Sequence, residues 1–159
     1  MPPHTLIKTP YDELTYKIIG CAMAIHRALG PRLREDTYQR DLELRLTDCG
    51  LAFVPQKLLE VYDSDHPGAL LGYYIPDFIV ADTIVVEIKA LRGLDGSHVA
   101  QVIGYSAVLC HLAVTGCPLG LLINFGECSL KFRRILPPRD IAEHRLNREW
   151  LWVPDSMPR

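Results

Sequence analysis

The chain contains no uninterrupted apolar stretch approaching the ~18 residues needed to span a bilayer, so a membrane-crossing helix is not expected. The residues after Met1, Pro2-Pro3-His4, form neither a basic n-region nor an apolar h-region. No secretory signal is expected, and the default location is cytoplasmic. Cysteine pairing signals are missing as well: the five cysteines, Cys21, Cys49, Cys110, Cys117 and Cys128, are odd in number, scattered and never spaced C-x-x-C. This argues against a disulfide framework and a zinc ribbon and favours buried or half-buried free thiols, with a metal site from Cys110, Cys117 and Cys128 the remote alternative. Charge of one sign is also lacking. A net charge of −2 and a pI near 6.3 give no global field for a polyanion, so any such site must be local. No recognition helix, zinc finger or aromatic stacking array is visible, which excludes the usual devices for reading base sequence.

What is present fits one globular domain. The 159 residues, 48% hydrophobic and 23% charged, suffice for one core and are too few for two ordinary domains. Helical spacing of Leu14, Ile18, Ile19, Ala22, Ile25, Ala28 and Leu29 predicts a helix from about residue 11 to 29, stopped by Gly30-Pro31. A second helix is expected from about 34 to 49, with Tyr38, Leu42, Leu46 and Cys49 on one stripe. Strands are expected over about 52–62, 70–80 and 84–90. A helix over about 97–113 and strands over 117–124 and 129–136 follow. The expected fold is α/β in the order ααβββαββ. Pro137-Pro138 ends this unit, giving a domain at 1–138 and an extension at 139–159 that carries Trp150 and Trp152.

Three charges interrupt the most strand-like segment. Asp77, Glu87 and Lys89 lie within Tyr74–Lys89, a run otherwise rich in Ile, Val, Phe and Tyr. A hairpin turn centred on Asp82 sets Asp77 opposite Glu87, and two-residue alternation adds Lys89 to the same face. Like charges across a ladder repel, and burying carboxylates is costly without compensation. Two arrangements satisfy this spacing: a divalent cation between the acids, or a salt-bridged cluster at a sheet edge. Ile84, Val85, Val86 and Ile88 make the second strand apolar on both faces, as a central strand would be.

The Pro-Asp, nine intervening residues and Glu-Ile-Lys resemble the motif of the PD-(D/E)XK nuclease superfamily, and Gln101-Val102-Ile103-Gly104-Tyr105 resembles the Q-x-x-x-Y helix of its RecB-type members. More narrowly, Leu14–Gly20, His26–Pro31, Glu35–Tyr38 and Leu119–Gly126 resemble the bacterial GxxExxY family within that superfamily, over about residues 10 to 136. Glu35 and Tyr38 match the eponymous motif, whereas Arg32 stands where its glycine would be. The resemblance implies a restriction-endonuclease-like core, a central mixed sheet flanked by helices, and a metal-dependent nuclease acting on DNA, less expectedly on RNA.

For that chemistry Asp77 and Glu87 are expected to hold Mg²⁺ or Mn²⁺, with the Ile88 carbonyl and Glu35 as further ligands. Lys89 would stabilise charge near the attacking water, while Gln101 and Tyr105 orient the phosphate or Lys89, with His98 nearby. Each has a plainer role: Lys89 as partner of Glu87, Glu35 as a solvated acid of a first helical turn, Gln101 as surface and Tyr105 as core. Backbone phosphates are expected to meet Arg32, Arg34 and Arg92, with Arg27 and the Lys131, Arg133, Arg134 group as further candidates. The competing function is a non-catalytic nuclease-fold module that binds nucleic acid or a protein partner; besides nucleic acid, a protein partner or a homodimer is the association expected.

Overall fold

The computed structural model of the protein describes residues 9–92 and 96–143, side chains excepted at 96–101 and 143. Two helices, α1 (Asp12–Leu29) and α2 (Glu35–Asp48), open the chain. Gly30 ends α1 in the left-handed region (φ +72°) and gives its N–H to the His26 carbonyl at 2.9 Å. The stripe expected on α2 is buried at Tyr38, Leu42 and Leu46, but Cys49 is exposed and Gln39 is buried instead.

Five strands precede the third helix where three were expected: β1 (Phe53–Pro55), β2 (Leu59–Tyr62), β3 (Leu70–Tyr74), β4 (Phe78–Val80) and β5 (Ile84–Lys89). Both long strands are broken for local reasons. Pro55 has no N–H and Gln56 adopts φ +46°, while Ile75-Pro76-Asp77 interrupts the second run. The freed halves, β2 and β3, form a separate antiparallel ribbon. Helix α3 (Gly96–Thr115), strands β6 (Leu119–Asn124) and β7 (Lys131–Ile135) and helix α4 (Arg139–Glu143) follow.

The main sheet runs β1-β4-β5-β6-β7, with β5 and β6 parallel and the other pairs antiparallel. Strand β5 is central, as its two apolar faces require, and β6 beside it is buried throughout. Alternation divides the core. Phe78, Val80, Ile84, Val86, Ile88 and Leu121 pack against α1 and α2; Ile79, Val85 and Leu122 pack against Val108 and Leu112 of α3. Two glycines bring α3 close to the sheet: a Cβ on Gly104 would stand 2.5 Å from Leu122 Cδ1, and one on Gly120 would stand 2.2 Å from Val108 Cγ1. The boundary expected at Pro138 is followed by α4, whose Ile141 packs on the α3-side core, and the remaining extension lies outside the described residues.

Candidate active site

The hairpin carries the register that the sequence implied. Ala81 (φ +51°) and Asp82 (φ +55°) turn the chain, and Thr83 N–H closes the turn onto the Val80 carbonyl at 3.0 Å. Phe78 pairs with Val86 and Val80 with Ile84, which sets Asp77, just beyond β4, across from Glu87. The next residue pair in this register is Pro76 and Ile88, and Pro76 has no N–H for the Ile88 carbonyl. Asp77 fills the other half of the gap: its Oδ2 accepts the Ile88 N–H at 2.8 Å. Since N–H and C=O of one strand residue point the same way, the Ile88 carbonyl faces this gap too.

Burial first, and the negative charge of Glu87 second, push the Asp77 carboxyl up to about 8, with the Ile88 N–H pulling it down. Glu87 itself is 3% exposed and hydrogen-bonded to His111 Nδ1 of α3. A carboxylate only accepts, so this bond places the imidazole proton on Nδ1. His111 is held from behind by the Thr115 hydroxyl, which donates to its carbonyl at 2.7 Å, and its ring meets Tyr74 of the ribbon edge-on at 6.4 Å.

Helix α2 supplies the opposite wall through its first two turns. Glu35 Oε1 lies 3.9 Å from Lys89 Nζ; burial raises the Glu35 carboxyl, and Lys89 pulls it back. Tyr38 fixes where α2 begins: its hydroxyl donates to the Gly30 carbonyl and accepts Leu33 N–H at 3.1 Å, while its ring stacks on Phe125 at 4.6 Å. Gln39 Nε2 donates to the Asp77 carbonyl at 3.2 Å, and Gln56 N–H donates to the same oxygen at 3.0 Å. Glu35 and Gln39, at i and i+4, thus join one helix face to the ends of β5 and β4, while Tyr38 between them anchors that face on Phe125 beyond β6.

The segment leaving Lys89 is clamped. Phe125 N–H donates to the Lys89 carbonyl at 2.8 Å, and the Asn124 amide both accepts Leu91 N–H at 3.1 Å and donates to the Leu91 carbonyl at 3.2 Å.

Gln101 and His98 fall in α3, but their side chains are outside the described residues. Tyr105 packs on the α3-side core with the Arg133 guanidinium 5.5 Å from its ring centre, over β7 rather than over Glu87. The Lys131, Arg133, Arg134 group is divided by strand alternation: Arg133 turns to Tyr105, and Arg134 Nη1 donates to Asp12 Oδ1 of α1 at 2.6 Å. Arg32 and Arg34 are exposed in the turn before α2, Arg34 3.5 Å from Asp36, and Arg92 is exposed three residues after Lys89. Cys117 is buried, whereas Cys110 and Cys128 are exposed, and these three do not converge.

Sequence reasoning missed His111 and Gln39. The only signal for either was a polar residue on an otherwise apolar helix stripe, four residues from Glu35 for Gln39 and among Val108, Leu112 and Val114 for His111.

A profile of the PD-(D/E)XK nuclease superfamily matches residues 12–135. The chain belongs to that superfamily. No curated protein matches it. Among solved structures, SSO0001 is similar over 83% of this chain and 62% of its own length, with a TM-score of 0.46 and 19% identity. An alkaline exonuclease (LHK-Exo) from Laribacter hongkongensis is similar over 82% of this chain and 72% of its own, with a TM-score of 0.40 and 13% identity. The chain therefore spans less than two thirds of SSO0001. Among the described residues no helix is long and apolar enough to cross a membrane.

The donor set fits a hard divalent cation. Asp77 and Glu87 offer carboxylate oxygens that repel one another when both are ionised, and the Ile88 carbonyl lacks a ladder donor from Pro76. Among the described residues no three His, Cys, Asp or Glu side chains form a cage, so water would complete the coordination, as Mg²⁺ prefers. Glu35, engaged with Lys89, fits a ligand acting through such a water better than a third direct carboxylate.

Proposed function

We propose that the protein is a divalent-metal-dependent nuclease that hydrolyses phosphodiester bonds of DNA, within the GxxExxY group of its superfamily. The observation that carries this reading is the register placing Asp77 across from Glu87, with Lys89 two residues on and the Ile88 main chain facing the same gap. Asp77, Glu87 and the Ile88 carbonyl would hold Mg²⁺ or Mn²⁺. When bound, the ion neutralises charge on the phosphoryl oxygens and acidifies water.

The protein's own groups do the rest. His111 holds one oxygen of Glu87, leaving the other for the ion. Gln39 and Gln56 fix the Asp77 main chain, so its carboxyl keeps its place beside Glu87. Lys89, kept near the site by Glu35, sets a cation where negative charge develops in the transition state. Arg32, Arg34 and Arg92 contact the backbone of the substrate without reading its bases, which suits structure-selective cleavage.

The test is incubation of the purified protein with single-stranded, duplex and branched DNA and with RNA, in Mg²⁺, Mn²⁺ or EDTA, beside Glu87→Ala and Lys89→Ala. DNA cleavage that needs the metal and is lost in both variants is expected. Cleavage that survives both substitutions would remove the assigned site. Binding to nucleic acid without cleavage under any metal would instead establish the non-catalytic module.

A further inference from the structure

Where α1 meets the end of α2, two cysteines come together that the nuclease chemistry does not use. Cys21, in the middle of α1, is 6% exposed; Cys49, at the C-terminal cap of α2, is exposed. Their sulfurs are 3.3 Å apart, closer than two unbonded sulfurs ordinarily rest, and the Cys21 thiol also lies 3.9 Å from the Arg45 carbonyl. Both face a cavity of about 480 Å³ between the helices, lined further by Tyr16, Lys17, Gly20 and Arg45. The cavity brings a small solute to the exposed Cys49 thiol, while Cys21 beside it stays covered by the helices.

We propose that Cys21 and Cys49 form a reversible dithiol–disulfide site, oxidised by hydrogen peroxide and reduced by small thiols, which staples α1 to the end of α2. The exposed Cys49 reacts first. Its thiolate attacks one peroxide oxygen, the O–O bond breaks, and a sulfenic acid and hydroxide result. The Cys21 sulfur then attacks the Cys49 sulfur; the S–S bond forms as the S–O bond breaks, and the oxygen leaves as water with the Cys21 proton. Two thiols lose two electrons, and one peroxide becomes two waters. This order follows from burial, which, with the bond to Cys49, pushes the Cys21 thiol up to about 12 and makes it a poor first nucleophile. Exposed Cys110 and Cys128 and buried Cys117 have no sulfur partner of this kind among the described residues.

The full chain is treated with hydrogen peroxide, with and without later dithiothreitol, alkylated under denaturing conditions and mapped by mass spectrometry. A peptide pair joined through Cys21 and Cys49 is expected, with two hydrogens lost, two fewer alkylated cysteines and full reversal by dithiothreitol. The joined form should unfold at a temperature higher by roughly 5 °C or more, because the link closes a chain segment in the unfolded state. Cys49→Ser, a surface change, should fold normally and keep Cys21 reduced and shielded from alkylation in the native state. A crosslink that favours any other pair, or a Cys49 sulfenic acid that persists or passes to higher oxides without joining Cys21, would overturn the proposal. So would a Cys21 that oxidises equally in Cys49→Ser. None of these readouts uses cleavage, so they stand or fall apart from the nuclease reading.

Discussion

His111 Nδ1 is hydrogen-bonded to Glu87 Oε1 across the contact between α3 and β5, with the two residues 8% and 3% exposed. A buried carboxylate that loses its donor bears the desolvation cost alone. His111→Ala should therefore lower stability by about 1–3 kcal/mol in urea unfolding. If Glu87 holds the metal as proposed, removing the histidine that orients it should also weaken Mn²⁺ binding by about 10–100-fold in calorimetric titration. His111→Asn, which keeps a donor at that depth, should recover part of both. Unchanged metal affinity in His111→Ala would show that the histidine only fills space.

The metal-free protein should lose stability as pH rises. The Asp77 carboxyl ionises at about 8 in the folded chain against an ordinary value of 3.8. Between those values the folded state holds a proton that the unfolded state has released, so the free energy of unfolding falls with increasing pH. Thermal midpoints in EDTA should decline from about pH 4 to about pH 8. Asp77→Asn should flatten this slope, and saturating Mg²⁺ should offset it in the native sequence by favouring the ionised pair. A slope unaltered by Asp77→Asn would assign it to other groups.

Substitution of Lys89 should separate metal binding from chemistry. Its Nζ lies 3.9 Å from Glu35 Oε1 and is not among the oxygen donors for a cation. Lys89→Ala should leave Mn²⁺ affinity within a few-fold and reduce cleavage by about 10²-fold or more, the loss typical of removing a preorganised charge from a transition state. Glu35→Gln, which keeps the shape but frees Lys89, should have the smaller effect on rate. Equal metal affinity and equal rate in Lys89→Ala would make the lysine only the partner of Glu35.

Much of this site was legible because strand alternation and a short turn leave little freedom. Once Asp82 marks the turn, the positions of Asp77, Glu87 and Lys89 follow, and the apolar faces of Ile84, Val86 and Ile88 place the strand centrally. The helices were legible for a similar reason, their apolar repeats being long. The breaks at Pro55-Gln56 and at Pro76 were not, because Leu58, Leu59, Leu70 and Leu71 on either side still read as strand while pairing in a different sheet. His111 was hidden for a third reason. Which residue of α3 reaches Glu87 depends on how the helix is rotated and how near it lies, and Gly104 and Gly120 set that through contacts distant in sequence. The spacing of Gln101 and Tyr105 fixes a shared helix face but not the strand beneath it, and Tyr105 lies by Arg133 of β7.

Gly126 provides the most direct test of how the chain beyond Lys89 is held. Its N–H donates to Asn124 Oδ1 at 3.0 Å, the same oxygen that accepts Leu91 N–H. A Cβ added there would stand 2.5 Å from the Leu91 nitrogen and oxygen and 2.6 Å from the Ala90 carbonyl carbon. All three are main-chain atoms, so no side-chain rotation relieves the contact. Gly126→Ala should push the 90–91 segment outward, strain the bond from Phe125 N–H to the Lys89 carbonyl and cost about 1–3 kcal/mol of stability. Because Lys89 lies immediately upstream, cleavage should fall more steeply than metal affinity, since two of the three proposed donors, the Asp77 and Glu87 carboxylates, lie further back on the hairpin. Asn124→Ala removes the same clamp without adding an atom and should give the same ordering. If Gly126→Ala lost metal binding and cleavage in equal proportion, the displacement would have spread along β5 to Glu87, and the clamp would serve the strand as a whole rather than its lysine.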